Sequence, residues 1–106
     1  MLILNQNQTA IMLNIQLQNQ VITILKPYQP ERVGIFGSYA RGENRKNSDL
    51  DILIKFRNSI GLLELVQIEQ ELSDKLGIKV DLVTEGSLKN PLLKKYIEQD
   101  LITIFE

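Results

Sequence analysis

Cysteine and histidine are both absent from this chain, and each absence removes a class of chemistry. Without cysteine there is neither a disulfide framework nor a thiolate metal site, and an intracellular setting becomes the default expectation. Without histidine the commonest general base and transition-metal ligand is missing, which leaves carboxylates as the main candidates for chemistry near neutral pH. No apolar run approaches the roughly 20 residues of a membrane span. The opening MLILNQNQ lacks the basic segment and longer apolar stretch of a secretory signal. An excess of positive charge is also lacking, since 12 Lys and Arg stand against 13 Asp and Glu. That balance argues against holding a long phosphate backbone on a broad basic surface. These absences predict a soluble, cytoplasmic protein that binds neither membrane nor nucleic acid directly. What is present, 106 residues of which 43% are hydrophobic, suffices for one domain over residues 1–106 that buries roughly 65% of its unfolded surface.

Apolar residues Ile11, Ile15, Ile22 and Leu25 recur near helical spacing between Thr9 and Lys26, which predicts an amphipathic first helix ended by Pro27. Pro27 and Pro30 punctuate a turn, and Arg32 to Phe36 reads as a short buried strand ending at Gly37. Ser38 to Gly42 suits one or two helical turns, and Glu43 to Asn47 a polar loop. Asp49 to Phe56 alternates, with Leu50, Ile52, Ile54 and Phe56 on one face and Asp49, Asp51, Leu53 and Lys55 on the other. Residues 59 to 76 place Leu62, Leu65, Val66, Glu69, Leu72 and Leu76 in a mainly helical rhythm that Gly77 stops. Ile78 to Val83 alternates again. Asn90 and Pro91 look like the cap and first position of a final helix through about Gln99, and Leu101 to Phe105 forms an apolar tail of undetermined state. Strands interleaved with helices predict an α/β (α+β) layer fold.

Three features of the central segment carry chemistry. A strand that ends at Gly37 and Ser38 before a short helix can aim backbone amides and the Ser38 hydroxyl at a phosphate, although Gly-Ser after a strand also serves as an ordinary turn. Asp49 and Asp51 share a strand face about 6.6 Å apart along the chain, from a rise of about 3.3 Å per residue. Their carboxylates can converge on one cation; the alternative is a solvated strand end. Asp81 interrupts IKVDLV, where aspartate is poor strand material. A third carboxylate would complete an all-oxygen site suited to Mg²⁺, and with no histidine available Asp81 is the candidate to assist deprotonation of an acceptor hydroxyl. An aspartate at a solvated strand end is its alternative reading.

The stretch GSYARGENRKNSDLDILIKF resembles the signature of the DNA polymerase beta-like nucleotidyltransferase superfamily. Gly-Ser, ten residues, then Asp-any-Asp should arise by chance roughly once in a thousand chains of this length, from average residue usage. The resemblance spans about Val33 to Val83, and LKNPLLKKYIEQDLITIFE looks like the C-terminal end of the small members. It implies a nucleotidyltransferase fold with a mixed sheet flanked by helices. It implies further that Gly37 and Ser38 hold the triphosphate of ATP, that Asp49 and Asp51 ligate two Mg²⁺ ions, and that Asp81 ligates the catalytic one. Arg41 lies in the ARG segment typical of the minimal members, where a phosphate contact, a partner contact and plain solvation are all open. Arg45, Lys46 and Lys55 read as solvated charges and Tyr39 as a packing aromatic.

Larger relatives that modify RNA or antibiotics carry further domains to grip the acceptor, for which 106 residues leave no room. The chain looks like the minimal nucleotidyltransferases that pair with HEPN-domain RNases as antitoxin and toxin. That resemblance implies transfer of AMP from ATP to a tyrosine of the HEPN-type toxin, in a hetero-oligomer. Two alternatives stay open: an antitoxin that masks its toxin by binding alone, and a small-molecule nucleotidyltransferase completed by a second subunit.

Overall fold

The computed structural model describes residues 6 to 106, with side chains described from Ile15 onward. The expectation for the Ile11 side chain therefore lies outside the described residues. Helix α1 runs Gln6–Leu25, strand β1 Pro30–Phe36, helix α2 Ser38–Arg41, strand β2 Leu50–Phe56, helix α3 Leu62–Leu76, strand β3 Val80–Thr84, helix α4 Pro91–Asp100 and strand β4 Ile102–Phe105. The sheet has the order β3-β2-β1-β4. β1 pairs antiparallel with both β2 and β4, whereas β2 and β3 are parallel and joined through α3, as a parallel pair requires of its crossover.

The alternation of β2 sorts the two faces of this mixed sheet as the sequence predicts. Leu50, Ile52 and Ile54 are buried with Val33, Ile35, Val80 and Leu82 against Val21 and Leu25 of α1 and Ile68 and Leu72 of α3. On the opposite face Phe36 and Leu53 pack on Ile97 of α4, with Val83, Leu88 and Leu101 at the margin. Gly34 permits that second layer, because a Cβ there would lie 2.5 Å from Leu101 Cδ1. Asn90 caps α4 by accepting from the amides of Leu92 and Leu93, and Gly77 ends α3 in the left-handed region.

The buried stripes of α1 and α3 differ from the sequence expectation. Ile15 is 52% exposed, Leu62 77% and Val66 51%, while Val21 and Ile68 take the core positions. The apolar spacing of these helices is compatible with more than one buried stripe, and only the contact with the sheet selects among them. The apolar tail is strand β4, whose state is decided by the open edge of β1. β3 is the other edge of the sheet, and α3 covers part of it: the amides of Val80 and Leu82 donate to Ser73 Oγ and Glu69 Oε2 at 3.0 and 2.9 Å. Among the described residues no helix is long and apolar enough to cross a membrane.

Candidate active site

Parallel register sets Asp51 directly beside Asp81, on neighbouring strands that run about 4.8 Å apart. Asp49 lies two residues before Asp51, immediately ahead of β2. On the other side of β2, antiparallel register puts Phe36 opposite Asp51, so the chain leaves β1 for the Gly37–Ser38 turn right at the aspartate. Gly37 has φ 75° and ψ −152°, a conformation essentially reserved for glycine. A Cβ on Gly37 would stand 2.2 Å from Asp51 Oδ2. The Asp51 carboxylate thus occupies the space that glycine leaves, and the Gly37–Ser38 turn and Asp51 are built against each other.

The electrostatics follow from this packing. Asp51 is half-buried, and burial is the largest cause holding its carboxyl above the ordinary range; the charges of Asp81 and then Asp49 push the same way, and Arg41 opposes them. Such mutual repulsion at a strand terminus is unfavourable unless a cation offsets it. The donor set is all carboxylate oxygen, with neither histidine nor cysteine in the chain, which fits a hard cation such as Mg²⁺. Among the described residues no three acidic side chains converge tightly enough to share an ion as they stand. Asp49 instead faces Lys79, with Nζ 3.8 Å from Oδ2, so a cation that recruits Asp49 must compete with this exposed ammonium group.

Ser38 opens α2, whose first amides have no partner inside the helix. Arg41 closes it and donates to Asp100 Oδ2 and Glu43 Oε2. Arg45 and Lys46 are exposed, Lys55 pairs with Glu31, and Tyr39 packs on the main core. Lys79 and Asp100 escaped the reading of the sequence. Lys79 carries no local signal, whereas Asp100 does: it is an acid at a helix C-terminus, where the macrodipole disfavours negative charge. Three hollows of about 380, 370 and 410 Å³ lie elsewhere, and none is lined by the three aspartates.

Residues 18–104 match the family model described as nucleotidyltransferase domain. A Methanocaldococcus jannaschii protein bearing the name of a protein adenylyltransferase is 54% identical over 77 residues, which are 73% of this chain and 79% of the relative. Among solved structures, a chain from a toxin–antitoxin complex with AMP-PNP superposes with a TM-score of 0.75 at 24% identity, covering 83% of this chain and 72% of its own length. A chain from the complex of tri-AMPylated Shewanella oneidensis HEPN toxin with MNT antitoxin superposes with a TM-score of 0.71 at 20% identity, covering 87% and 71%. These two likenesses establish the fold. With the family model spanning most of the sequence, the chain belongs to the nucleotidyltransferase domain family and is a nucleotidyltransferase.

Proposed function

We propose that this nucleotidyltransferase is the antitoxin of a cytoplasmic toxin–antitoxin pair, and that it transfers AMP from ATP to a tyrosine hydroxyl of a HEPN-type RNase toxin with the help of Mg²⁺. The observation that carries this reading is Asp51, seated against the Gly37 turn on one side and in register with Asp81 on the other, with Asp49 at the same strand end. It is supported by a relative named for AMP transfer to protein and by structural neighbours that come from complexes with AMP-PNP and with an AMPylated HEPN toxin.

In this reading the turn amides and the Ser38 hydroxyl receive the triphosphate, and Asp49, Asp51 and Asp81 hold one or two Mg²⁺ ions. Mg²⁺, when bound, offsets the charge of the triphosphate and of the departing pyrophosphate. A tyrosine hydroxyl is a weak nucleophile at neutral pH because its pKa is about 10. Asp81, exposed on β3, accepts its proton in this reading as the oxygen attacks the α-phosphorus and the bond to the bridging oxygen of pyrophosphate breaks. In this reading docking of the partner supplies the proximity that a dedicated acceptor domain would provide.

Incubation with ATP, Mg²⁺ and the product of the neighbouring reading frame, followed by separation and intact mass, tests the reading. The partner should gain about 329 Da per AMP, a covalent change that survives separation. An inhibited partner of unchanged mass establishes masking by binding instead, and an adduct on a small hydroxyl compound establishes a small-molecule enzyme.

A further inference from the structure

Arg41 stands at the junction of three elements. It is the last residue of α2, three positions beyond Ser38. Its Nη1 donates to Asp100 Oδ2 at 2.8 Å and its Nε to Glu43 Oε2 at 3.2 Å. Asp100 is the last residue of α4, and that helix has no basic residue in its final turn. A carboxylate at this end meets the negative pole of the helix dipole. The cation that offsets it comes from 59 positions away. A local choice that opposes the helix and is satisfied only by a long-range partner points to a role beyond the helix itself.

A purely stabilising role is a poor explanation of the pair. The Arg41 side chain is 36% exposed, and ion pairs at that degree of solvation contribute little to stability. Geometry offers another role. With two donors engaged, the guanidinium keeps further N–H groups free, since it carries five in a fixed planar fork. α2 is anchored by both β1 and β2 at the end where Asp51 lies.

We propose that Asp100 is a positioning residue for nucleotide binding: with Glu43 it holds the Arg41 guanidinium at the end of α2, one helical turn past the Gly37–Ser38 turn, so that its free N–H groups meet the triphosphate. This rests on the reading of that site as the nucleotide site. Without Asp100 the arginine keeps only its exposed contact with Glu43, and the ordering that is lost must then be supplied at the moment of binding.

The test uses the whole protein with no acceptor present, titrated with AMP-PNP and Mg²⁺ in a calorimeter, for the wild type, Asp100→Asn, Asp100→Glu, Arg41→Ala and the double variant Arg41→Ala with Asp100→Asn. Asp100→Asn should weaken AMP-PNP binding about fivefold to tenfold, as expected for loss of a charge-assisted contact, while its melting temperature stays close to that of wild type. Asp100→Glu should recover most of the affinity. In the Arg41→Ala background, Asp100→Asn should have no further effect. Undiminished affinity in Asp100→Asn, or a loss that persists in full in the absence of Arg41, overturns the positioning role alone. A wild-type protein that binds no AMP-PNP overturns the nucleotide site itself and the positioning role with it.

Discussion

Replacing Gly37 by alanine probes the site at the point where backbone and chemistry are joined. Two separate penalties apply. The backbone at φ 75° and ψ −152° is a glycine conformation, and holding alanine there costs about 1–3 kcal/mol. The added methyl would also stand 2.2 Å from Asp51 Oδ2, so the carboxylate must leave its position; contacts of this kind couple neighbouring residues by about 0.5–3 kcal/mol. Together these predict a loss of roughly 1.5–6 kcal/mol, which for a chain of this size lowers the melting temperature by about 6 °C or more. The two parts separate in a double-mutant cycle with Asp51→Ala. In that background the clash is gone and only the backbone strain remains, so Gly37→Ala should be less destabilising by about the coupling energy. Thermal or urea melts of the four proteins supply the numbers, and AMP transfer of the single variant supplies the functional readout. Equal destabilisation in both backgrounds, together with retained transfer, would refute the mutual dependence of turn and aspartate.

Asp51→Asn should abolish transfer and leave the fold intact; transfer within about tenfold of wild type, or about 1.4 kcal/mol, contradicts the role given to Asp51. In metal-free protein the same variant tests the sign of the electrostatics. The Asp51 carboxyl titrates above its usual 3.8, so the folded state binds its proton more readily than the unfolded chain. Its unfavourable contribution is fully present above the raised pKa and fades as the pH falls towards 3.8; Asp51→Asn should flatten that part of the stability profile, as urea melts across this window will show. Asn90→Ala removes an acceptor used by two amides and should lower stability by about 1 kcal/mol, with transfer unchanged at temperatures where the protein stays folded. Ile52→Ala, at a side chain with no exposed surface, should lower stability by about 2–5 kcal/mol in the same melts.

Much of the molecule is written in local pattern. The period of two in β2, the Asn90–Pro91 cap and the glycine stop after α3 are short-range features, and each depends on neighbours within a few residues. The spacing from Gly37 and Ser38 to Asp49 and Asp51 is likewise contiguous, so the family and the nucleotidyltransferase activity could be recognised before any fold was known. Other features are decided only by tertiary structure. Whether Ile15 or Val21, and Val66 or Ile68, face inward depends on where each helix meets the sheet, because the apolar positions of α1 and α3 allow more than one stripe. β4 is a strand because the edge of β1 is open to it, not because four apolar residues require it. The lateral register that sets Asp81 beside Asp51 spans 30 positions, and the contact of Arg41 with Asp100 spans 59. Sequence alone determined which residue types the chemistry has to work with and how they are spaced along the chain. The packing of α3 and α4 on the sheet decided which of them stand together, since contacts between distant segments are set by burial of the faces between them and leave no periodic trace in the chain.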